Sequence, residues 1–265
     1  MFLWAETTAK RGCEEIASIL LKYLQGISST KEHLVVFTDN CGGQNKNWVI
    51  MSLWLQLVRE GFFKSIEHRF LIPGHTHLPS DRDFAIIEKH KRYIKQVYCP
   101  EDWVDIVKKS NRKSPFDTVL LEQHDFYAFD SISITKKQST VDKEAVKFNE
   151  VRCFKFDSEH PNSMFIKHTL NGEFLEVNVG KRGSRLGSQR TLTDLRRKYN
   201  GPLALNDKKI KDLKKLLKYI PPISQQFFVD IVGNTIEAEP GSEQPKEGEE
   251  EAEDIDGDDE EVNLD

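Results

Sequence analysis

The amino-acid sequence predicts an α/β fold built on a mixed β-sheet, and three observations support that prediction. Segments with helical and strand periodicity alternate through residues 1–110, as they do when helices connect the strands of one sheet. Residues 33–38 are an almost continuous apolar run, which is typical of a strand buried on both faces. From residue 116 to residue 180 the pattern changes to short apolar segments with strand-like alternation.

The amino-terminal half contains the alternating helices and strands. The predicted elements are a helix over 9–25, a strand over 33–38, a helix over 47–60, a strand over 65–72, a helix over 80–98 and a short helix over 100–108. Gly26 and Gly61 end the first two helices, and Pro73 ends the second strand. Ser80 is a candidate N-cap for the helix that follows. Right-handed crossovers are expected, with functional residues at the carboxyl ends of the strands.

The carboxyl-terminal half is predicted to contain a β-rich subdomain followed by basic helices. Asn171-Gly172 is a hairpin turn signal within the β-rich part. Basic helices are expected over 191–199 and 207–219. The predicted organisation is therefore a partial core over 1–110, a β-rich subdomain with basic helices over 111–235, and an acidic tail over 236–265.

The charge of the chain is unevenly distributed. Residues 236–265 contain 15 acidic residues and one lysine, so the rest of the chain has a net charge of +9 although the whole chain has −5. A basic body suits a polyanion such as DNA. The tail has glycine, proline and no aromatic residue, and it is predicted to be disordered. It is expected to keep the protein soluble, to mimic nucleic acid, to fold back on the basic body, or to bind a protein partner.

Several classes of protein are excluded by composition. No apolar run approaches the roughly 18 residues that a membrane span needs, so no membrane association is expected. The first residues lack the basic and apolar regions of a signal peptide. The four cysteines form no Cys-x-x-Cys pair, which argues against a zinc ribbon or a disulfide framework. A nuclear or cytoplasmic location is therefore predicted, and secretion is not.

Acidic residues at two places could form a metal site. Asp39 directly follows the predicted strand over 33–38. Asp81 and Glu88 lie seven residues apart, on one face of the helix predicted over 80–98. Carboxylates are the ligands that Mg²⁺ and Mn²⁺ prefer. The sequence thus predicts Asp39 and Asp81 as metal ligands, with Glu88 assisting. The structural alternative is that Asp39 belongs to a turn, Asp81 offsets the helix dipole, and Glu88 pairs with Arg92.

Two other kinds of site are less well supported. Cys41, His75 and His77 could bind zinc, although structural zinc sites usually show two paired ligand motifs. Ser80, Asp81 and His75 could form a hydrolase triad, but the Gly-x-Ser-x-Gly nucleophile motif is missing from the sequence. No glycine loop typical of nucleotide binding appears either.

Basic residues in the carboxyl-terminal half are candidates for nucleic-acid contact. The candidate residues are Lys181, Arg182, Arg185, Arg196, Arg197 and Lys198. The lysines of 207–219 extend this stretch, but apolar residues at helical spacing also make that segment an ordinary amphipathic helix. Direct contact with phosphates and a merely solvated charged surface both remain open for this region.

Four stretches of the sequence stand out as motifs. They are the run from Trp4 to Gly12 with the following Glu15 to Ser18, the run from Thr38 to Asn47, the run from Gly74 to Glu88, and the lysine-rich segment over 207–220 with its Ile-Pro-Pro end. These stretches resemble a family of uncharacterised, transposon-derived eukaryotic proteins with an RNase H-like core of the DDE transposase and integrase type. The resemblance covers about residues 1–235. It implies an RNase H-like mixed sheet flanked by helices.

The resemblance also implies roles for individual residues. Asp39 matches the second catalytic aspartate, and Asp81 or else Glu88 matches the third acidic residue. The first aspartate of such folds lies on an earlier strand, which precedes the helix over 9–25. The chain is therefore expected to be a fragment, a truncated gene model or a decayed copy, and to be inactive or incomplete.

The leading hypothesis is thus a transposase-derived domain with ancestral metal-dependent DNA phosphoryl transfer. Gln44, Asn45 and His75 would orient water or phosphate in the active form. The alternative is a non-enzymatic nuclear protein that binds DNA or protein, with a regulatory acidic tail.

Overall fold

The computed structural model describes residues 1–27, 31–71, 78–137, 139–180 and 190–237. These residues form an α/β fold with seven strands and six α-helices. The strands are β1 (Phe2–Leu3), β2 (His33–Thr38), β3 (Ser65–Phe70), β4 (Val119–Leu120), β5 (Cys153–Asp157), β6 (Ser163–Lys167) and β7 (Leu175–Asn178). The helices are α1 (Cys13–Ile27), α2 (Trp48–Arg59), α3 (Pro79–Lys91), α4 (Pro100–Ser110), α5 (Asp207–Leu216) and α6 (Pro222–Glu237).

Five strands form one mixed sheet in the order β2-β3-β5-β6-β7. β2 and β3 are parallel and are connected through α2, whereas each later pair is antiparallel. β1 and β4 pair in parallel as a separate two-stranded ladder. Because β2 and β3 run in the same direction, both strands terminate on the same side of the sheet, which we call their carboxyl edge. The segments that follow both strands begin there.

The main hydrophobic core lies between the sheet and helices α1 and α2. Helix α2 is buried from Ile50 to Val58, which explains its nearly continuous apolar sequence. Along β3, residues Ile66, His68 and Phe70 are buried in alternation with more exposed residues. The strand therefore turns one side chain in two toward the core, and one of these is a histidine.

Two smaller apolar clusters hold the remaining helices. Helices α3 and α4 pack on each other around Ile87, Ile106 and Val107. Helices α5 and α6 pack around a cluster that includes Ile210 and Val232. Both clusters are distinct from the core between the sheet and α1 and α2, so the elements that they hold are supported by much less buried apolar surface.

The predicted α/β class and mixed sheet are confirmed, and most predicted elements are present. The strand over 33–38 has the predicted boundaries, and the helix predicted over 47–60 begins and ends one residue inside them. The helix predicted over 80–98 ends earlier, at Lys91.

Three details of the predicted fold differ in the structure. β2 was expected to be buried on both faces, but it lies at the edge of the sheet, and Val35 and Phe37 are about half exposed. Strands β5 to β7, from the region predicted as a separate β-rich subdomain, continue the same sheet as β2 and β3. The expected helix over 191–199 is a short 3-10 turn at Leu192–Asp194 followed by non-helical chain.

The non-helical segment has a physical cause in its partners. Arg197 forms an antiparallel bridge with Tyr127, and the Lys198 amide donates to the carbonyl of Phe126. These backbone contacts to a distant part of the chain replace the local hydrogen bonds of a helix.

Two further expectations can be placed against the described residues. Among these residues, the structure contains no helix that is long and apolar enough to span a membrane. The acidic tail from residue 238 onward lies outside the described residues, so its predicted disorder stays a prediction.

Candidate functional site

Asp39 lies at the carboxyl edge shared by β2 and β3. It directly follows Thr38, the last residue of β2, and it is exposed. The amide of Leu71 donates to the carbonyl of Thr38 at 3.0 Å, so the two strands stay together to this point. The structure therefore delivers one carboxylate to the position at which functional residues of parallel sheets are usually found.

The loop after Asp39 is organised around its own backbone. The carbonyl of Cys41 accepts from the amides of Gln44, Asn45 and Lys46 at 3.3, 2.7 and 2.9 Å. Asp39 Oδ1 accepts from the Cys41 amide at 3.1 Å and from Asn45 Nδ2 at 2.7 Å. Asp39 Oδ2 has no hydrogen-bond partner among the described residues. One oxygen thus fixes the loop, and the described residues leave the other oxygen available to a ligand.

Three further side chains tie this loop to its neighbours. Asn40 Nδ2 donates to the carbonyl of Leu71 at 2.7 Å, and Lys46 Nζ donates to Asn40 Oδ1 at 3.2 Å and to the carbonyl of Asn149 at 2.5 Å. Asn47 caps α2 by accepting from the amides of Val49 and Ile50. The loop is therefore joined to the segment after β3, to the chain before β5 and to the start of α2.

Lys46 is an unusual member of this loop because it is 5% exposed and its ammonium lacks a carboxylate partner within the described residues. Burial, and after it the charge of Arg152, lowers the pKa of Lys46 to about 8. The ammonium also lies 5.0 Å from the centroid of the Phe70 ring. Two oxygen acceptors and one aromatic face thus stabilise a buried cation near Asp39.

A chain of hydrogen bonds reaches the backbone of Asp39 from the core. Trp54 Nε1 donates to His68 Nδ1 at 3.1 Å, so the neutral ring carries its proton on Nε2 and donates to Thr38 Oγ1 at 2.8 Å. The Thr38 hydroxyl in turn donates to the carbonyl of Asp39 at 3.0 Å. Burial, and after it the charge of Lys46, lowers the pKa of His68 to about 3, so the ring is neutral.

Two of the residues predicted to orient water or phosphate lie in this loop, and both form hydrogen bonds within the protein. Asn45 Nδ2 is bonded to Asp39, and Gln44 Nε2 donates to the carbonyl of Arg11 at 3.3 Å. The third, His75, lies outside the described residues, as does His77, its partner in the zinc alternative with Cys41. Lys46, His68 and Trp54 were not identified as site residues from the sequence. The alternation of β3 offered a signal for His68, because it shares a face with Ile66 and Phe70.

Asp81 and Glu88 lie on a differently supported element. Asp81 is exposed, and its Oδ2 accepts from the amide of Leu78 at 2.8 Å, so it caps the helix that carries it. Its other oxygen has no partner among the described residues. Glu88 is exposed, and within the described part of the chain it forms no ion pair with Arg92. Ile87 anchors this helix to α4 rather than to the sheet.

One group of three convergent metal-ligating side chains occurs among the described residues. Asp157 at the end of β5 and Glu159 and His160 in the following turn have their ligand atoms within 4.8 Å of one another. Asp157 already pairs with Lys155 at 3.2 Å and accepts from the Glu159 amide at 3.1 Å. Neither Asp39 nor Asp81 belongs to such a three-residue group within the described chain.

The predicted basic residues form intramolecular contacts where the structure describes them. Arg196 lies 3.4 Å from Asp130, and Arg197 stacks over Tyr127 and donates to the carbonyl of His124. Lys198 Nζ lies 2.6 Å from Glu15 and 3.1 Å from Glu14. Lys181, Arg182 and Arg185 lie outside the described residues.

The contact of Lys198 with Glu15 is part of a buried polar network. Glu15 is fully buried and accepts from Lys198, from the Tyr199 hydroxyl and from the Gly12 amide. Burial raises the pKa of Glu15, but the hydrogen bonds from Lys198 and Tyr199 lower it by more, so the net shift is downward. Burial, followed by the bond to Glu15, raises the pKa of Tyr199 to about 12. The network fixes the segment around residue 198 on α1.

Comparison with known proteins identifies one family. The model of a domain of unknown function, DUF7869, matches residues 1–170, a stretch that includes Asp39, Asp81 and Glu88. No curated protein and no solved structure matches the chain.

Proposed function

The chain belongs to the DUF7869 family, and we propose that this member is a transposase-derived, RNase H-like protein whose ancestral activity is metal-dependent phosphoryl transfer on DNA. The observation that carries the proposal is the exposed Asp39 Oδ2, which has no partner in the described residues, at the common carboxyl edge of two parallel strands. Mg²⁺ typically binds through one or two carboxylates together with substrate phosphates, so one exposed carboxylate oxygen is enough to supply a protein ligand.

The donor set fits a hard divalent cation. Asp39 and Asp81 would hold Mg²⁺ or Mn²⁺, and Glu88 would assist, because each is an exposed carboxylate. When bound, the ion would polarise a phosphate oxygen and offset the charge that develops on the phosphodiester. The protein part of the site is the loop after β2, in which Asn45 and the Cys41 amide hold the Asp39 carboxylate in one orientation.

The remaining parts of the proposal follow from the same chemistry. A DNA substrate agrees with the net charge of +9 on residues 1–235, and a nuclear or cytoplasmic location agrees with such a partner. Lys46 keeps its proton at neutral pH, because its pKa of about 8 lies above 7, and it therefore adds positive charge near Asp39.

The test is calorimetric titration of Mn²⁺ into the full chain at neutral pH. Asp39→Asn removes the charge but keeps an Oδ1 acceptor for Cys41 and Asn45, so the loop should keep its shape. We expect this variant to lose at least about 1.4 kcal/mol of binding free energy, a tenfold weaker affinity. Asp81→Asn is expected to show a loss of the same kind. The acidic tail binds equally in all variants and cancels in the comparison.

Asp83→Asn is the matched control, because it makes the same charge change two residues from Asp81 on another face of α3. It should bind Mn²⁺ like the wild-type chain. Equal affinities of the wild-type, Asp39→Asn and Asp81→Asn chains, with all of them folded, would contradict the metal site.

A second candidate is a non-enzymatic protein that binds DNA, and two observations favour it. Asp81 already caps its own helix, and the lysines of α5 are exposed. Under this candidate, binding of a fluorescent single-stranded oligonucleotide would weaken on replacing these lysines and would not change in Asp39→Asn. Anisotropy titrations of the two variants separate the candidates.

A further inference from the structure

Helix α5 presents a lysine-rich face to solvent. Lys208, Lys211, Lys214 and Lys215 are exposed, and at about 100° per residue all four lie within one third of the helix circumference. Ile210 and Leu213 occupy the opposite side, in the small cluster shared with α6. With the 3-10 turn Leu217–Tyr219 that follows, the segment 207–219 contains six lysines and two aspartates, a net charge of +4.

Most of this charge has no partner in the described part of the protein. Lys209 pairs with Glu6, and Lys215 lies 3.1 Å from Asp212. Lys208, Lys211 and Lys214 form no ion pair with any described residue. Arg196 and Lys198 differ in this respect, because Arg196 pairs with Asp130 and Lys198 pairs with the buried Glu15 of α1. The lysine face of α5 is thus an exposed, positively charged surface that the described residues leave largely without acidic partners.

Helix α6 brings the chain back to the start of this face. Val232 of α6 packs with Leu205 and Ile210, at the beginning of α5. α6 ends at Glu237, five residues later, which corresponds to about 8 Å of helix. The described end of α6 therefore lies about one and a half helical turns beyond a residue that packs against the start of α5.

The chain that continues from Glu237 is the most acidic part of the sequence. Residues 236–265 contain 15 acidic residues and one lysine. The 28 residues after Glu237 could span up to about 90 Å when extended, whereas α5 is about 15 Å long. The acidic segment is therefore long enough to extend along the whole of α5. Because the connection is short, the effective concentration of the segment at α5 is in the millimolar range.

We propose that the acidic segment 238–265 binds in cis to the lysine face of α5. Its carboxylates take the place of the phosphates of a polyanion there, so the segment competes with any nucleic acid for Lys208, Lys211 and Lys214. The attraction between exposed charges is screened by salt, and the contact is therefore strongest at low ionic strength. This proposal is independent of the Asp39 site and stands or falls separately from it.

The test is zero-length carbodiimide cross-linking of the full, unmodified chain, followed by peptide mass spectrometry. This reagent joins a carboxylate to a lysine amine only where the two are in contact. Lys95, Lys108 and Lys113 are the internal control, because they are also exposed and form no ion pair with a described residue. A mixture of ¹⁴N- and ¹⁵N-labelled protein distinguishes links within one chain from links between two chains.

We expect links from residues 238–265 to the α5 lysines to exceed links to the control lysines at least about fivefold, within single chains. They should fall sharply at about 0.5 M NaCl and when an oligothymidylate is added. Links spread evenly over both lysine sets, links between differently labelled chains, or no links from the segment would each overturn the proposal.

Discussion

The loop over 39–47 and the start of α3 each carry one of the predicted metal ligands, but the two regions are supported very differently. In the loop, Asp39 is oriented by Asn45 and by the Cys41 amide, and its backbone is bonded through Thr38 to a buried histidine. At the start of α3, the carboxylate of Asp81 accepts one hydrogen bond from Leu78 in its own turn. The first carboxylate belongs to a loop whose backbone is bonded to a core residue, and the second is held by local structure alone.

This difference indicates which of the two proposed metal ligands is already oriented before an ion binds. A ligand whose loop is connected to the main core keeps its geometry before any ion arrives, which lowers the cost of binding. A ligand on a helix supported by the cluster around Ile87 can move with that helix. We therefore assign the greater part of metal affinity to Asp39.

The largest effect should come from Lys46, which belongs to the loop and has no counterpart near Asp81. Between about pH 8 and 10.5 the folded chain releases this proton and the unfolded chain keeps it, so the free energy of unfolding rises with pH. Wild-type protein should gain about 3 kcal/mol over Lys46→Met across this range. Urea denaturation at a series of pH values measures the difference.

Lys113→Met is the control for this experiment, because Lys113 is exposed and pairs with no described carboxylate. It should follow the wild-type pH dependence. If Lys46→Met follows it as well, Lys46 is not a buried cation and the loop is more open than the structure indicates.

A smaller effect separates the two helix starts. Asn47→Ala removes the acceptor for the amides of Val49 and Ile50 at the head of a buried helix and should cost about 1–2 kcal/mol of stability. Asp81→Ala removes the acceptor for the Leu78 amide at an exposed helix start and should cost at most about 0.5 kcal/mol. Urea denaturation of both variants at neutral pH is the measurement. Equal losses would mean that the two regions are supported alike.

The sequence predicted those parts of the fold that depend on local pattern. The boundaries of β2 were predicted because its apolar run lies between charged and polar residues. Helix α2 was predicted from the apolar residues within its own segment. The edge position of β2 was missed because it depends on which strands pair with β3, and β5 comes from more than eighty residues later in the chain.

The candidate site was predictable to a similar extent. Asp39 could be identified from the strand and turn that flank it, but the buried role of Lys46 depends on the distant carbonyl of Asn149. The predicted helix over 191–199 failed for a related reason, since Lys198 bonds to Glu15 on α1 instead of taking part in a local helix. In both cases the structure of the residue depends on a partner that is distant in the chain. Such long-range contacts cannot be inferred from the local pattern of a single sequence.

The central claim is that Asp39 Oδ2, which no described residue contacts by a hydrogen bond, binds a divalent cation from a preformed loop. The most direct test is the NMR spectrum of the full ¹⁵N-labelled chain with substoichiometric Mn²⁺, because the paramagnetic ion broadens amide signals near its binding site. We predict that the amide signals of Cys41, Gly42 and Gly43 broaden in the wild-type chain and stay sharp in Asp39→Asn. Broadening that is confined to residues 238–265, or that is the same in Asp39→Asn, would contradict the account.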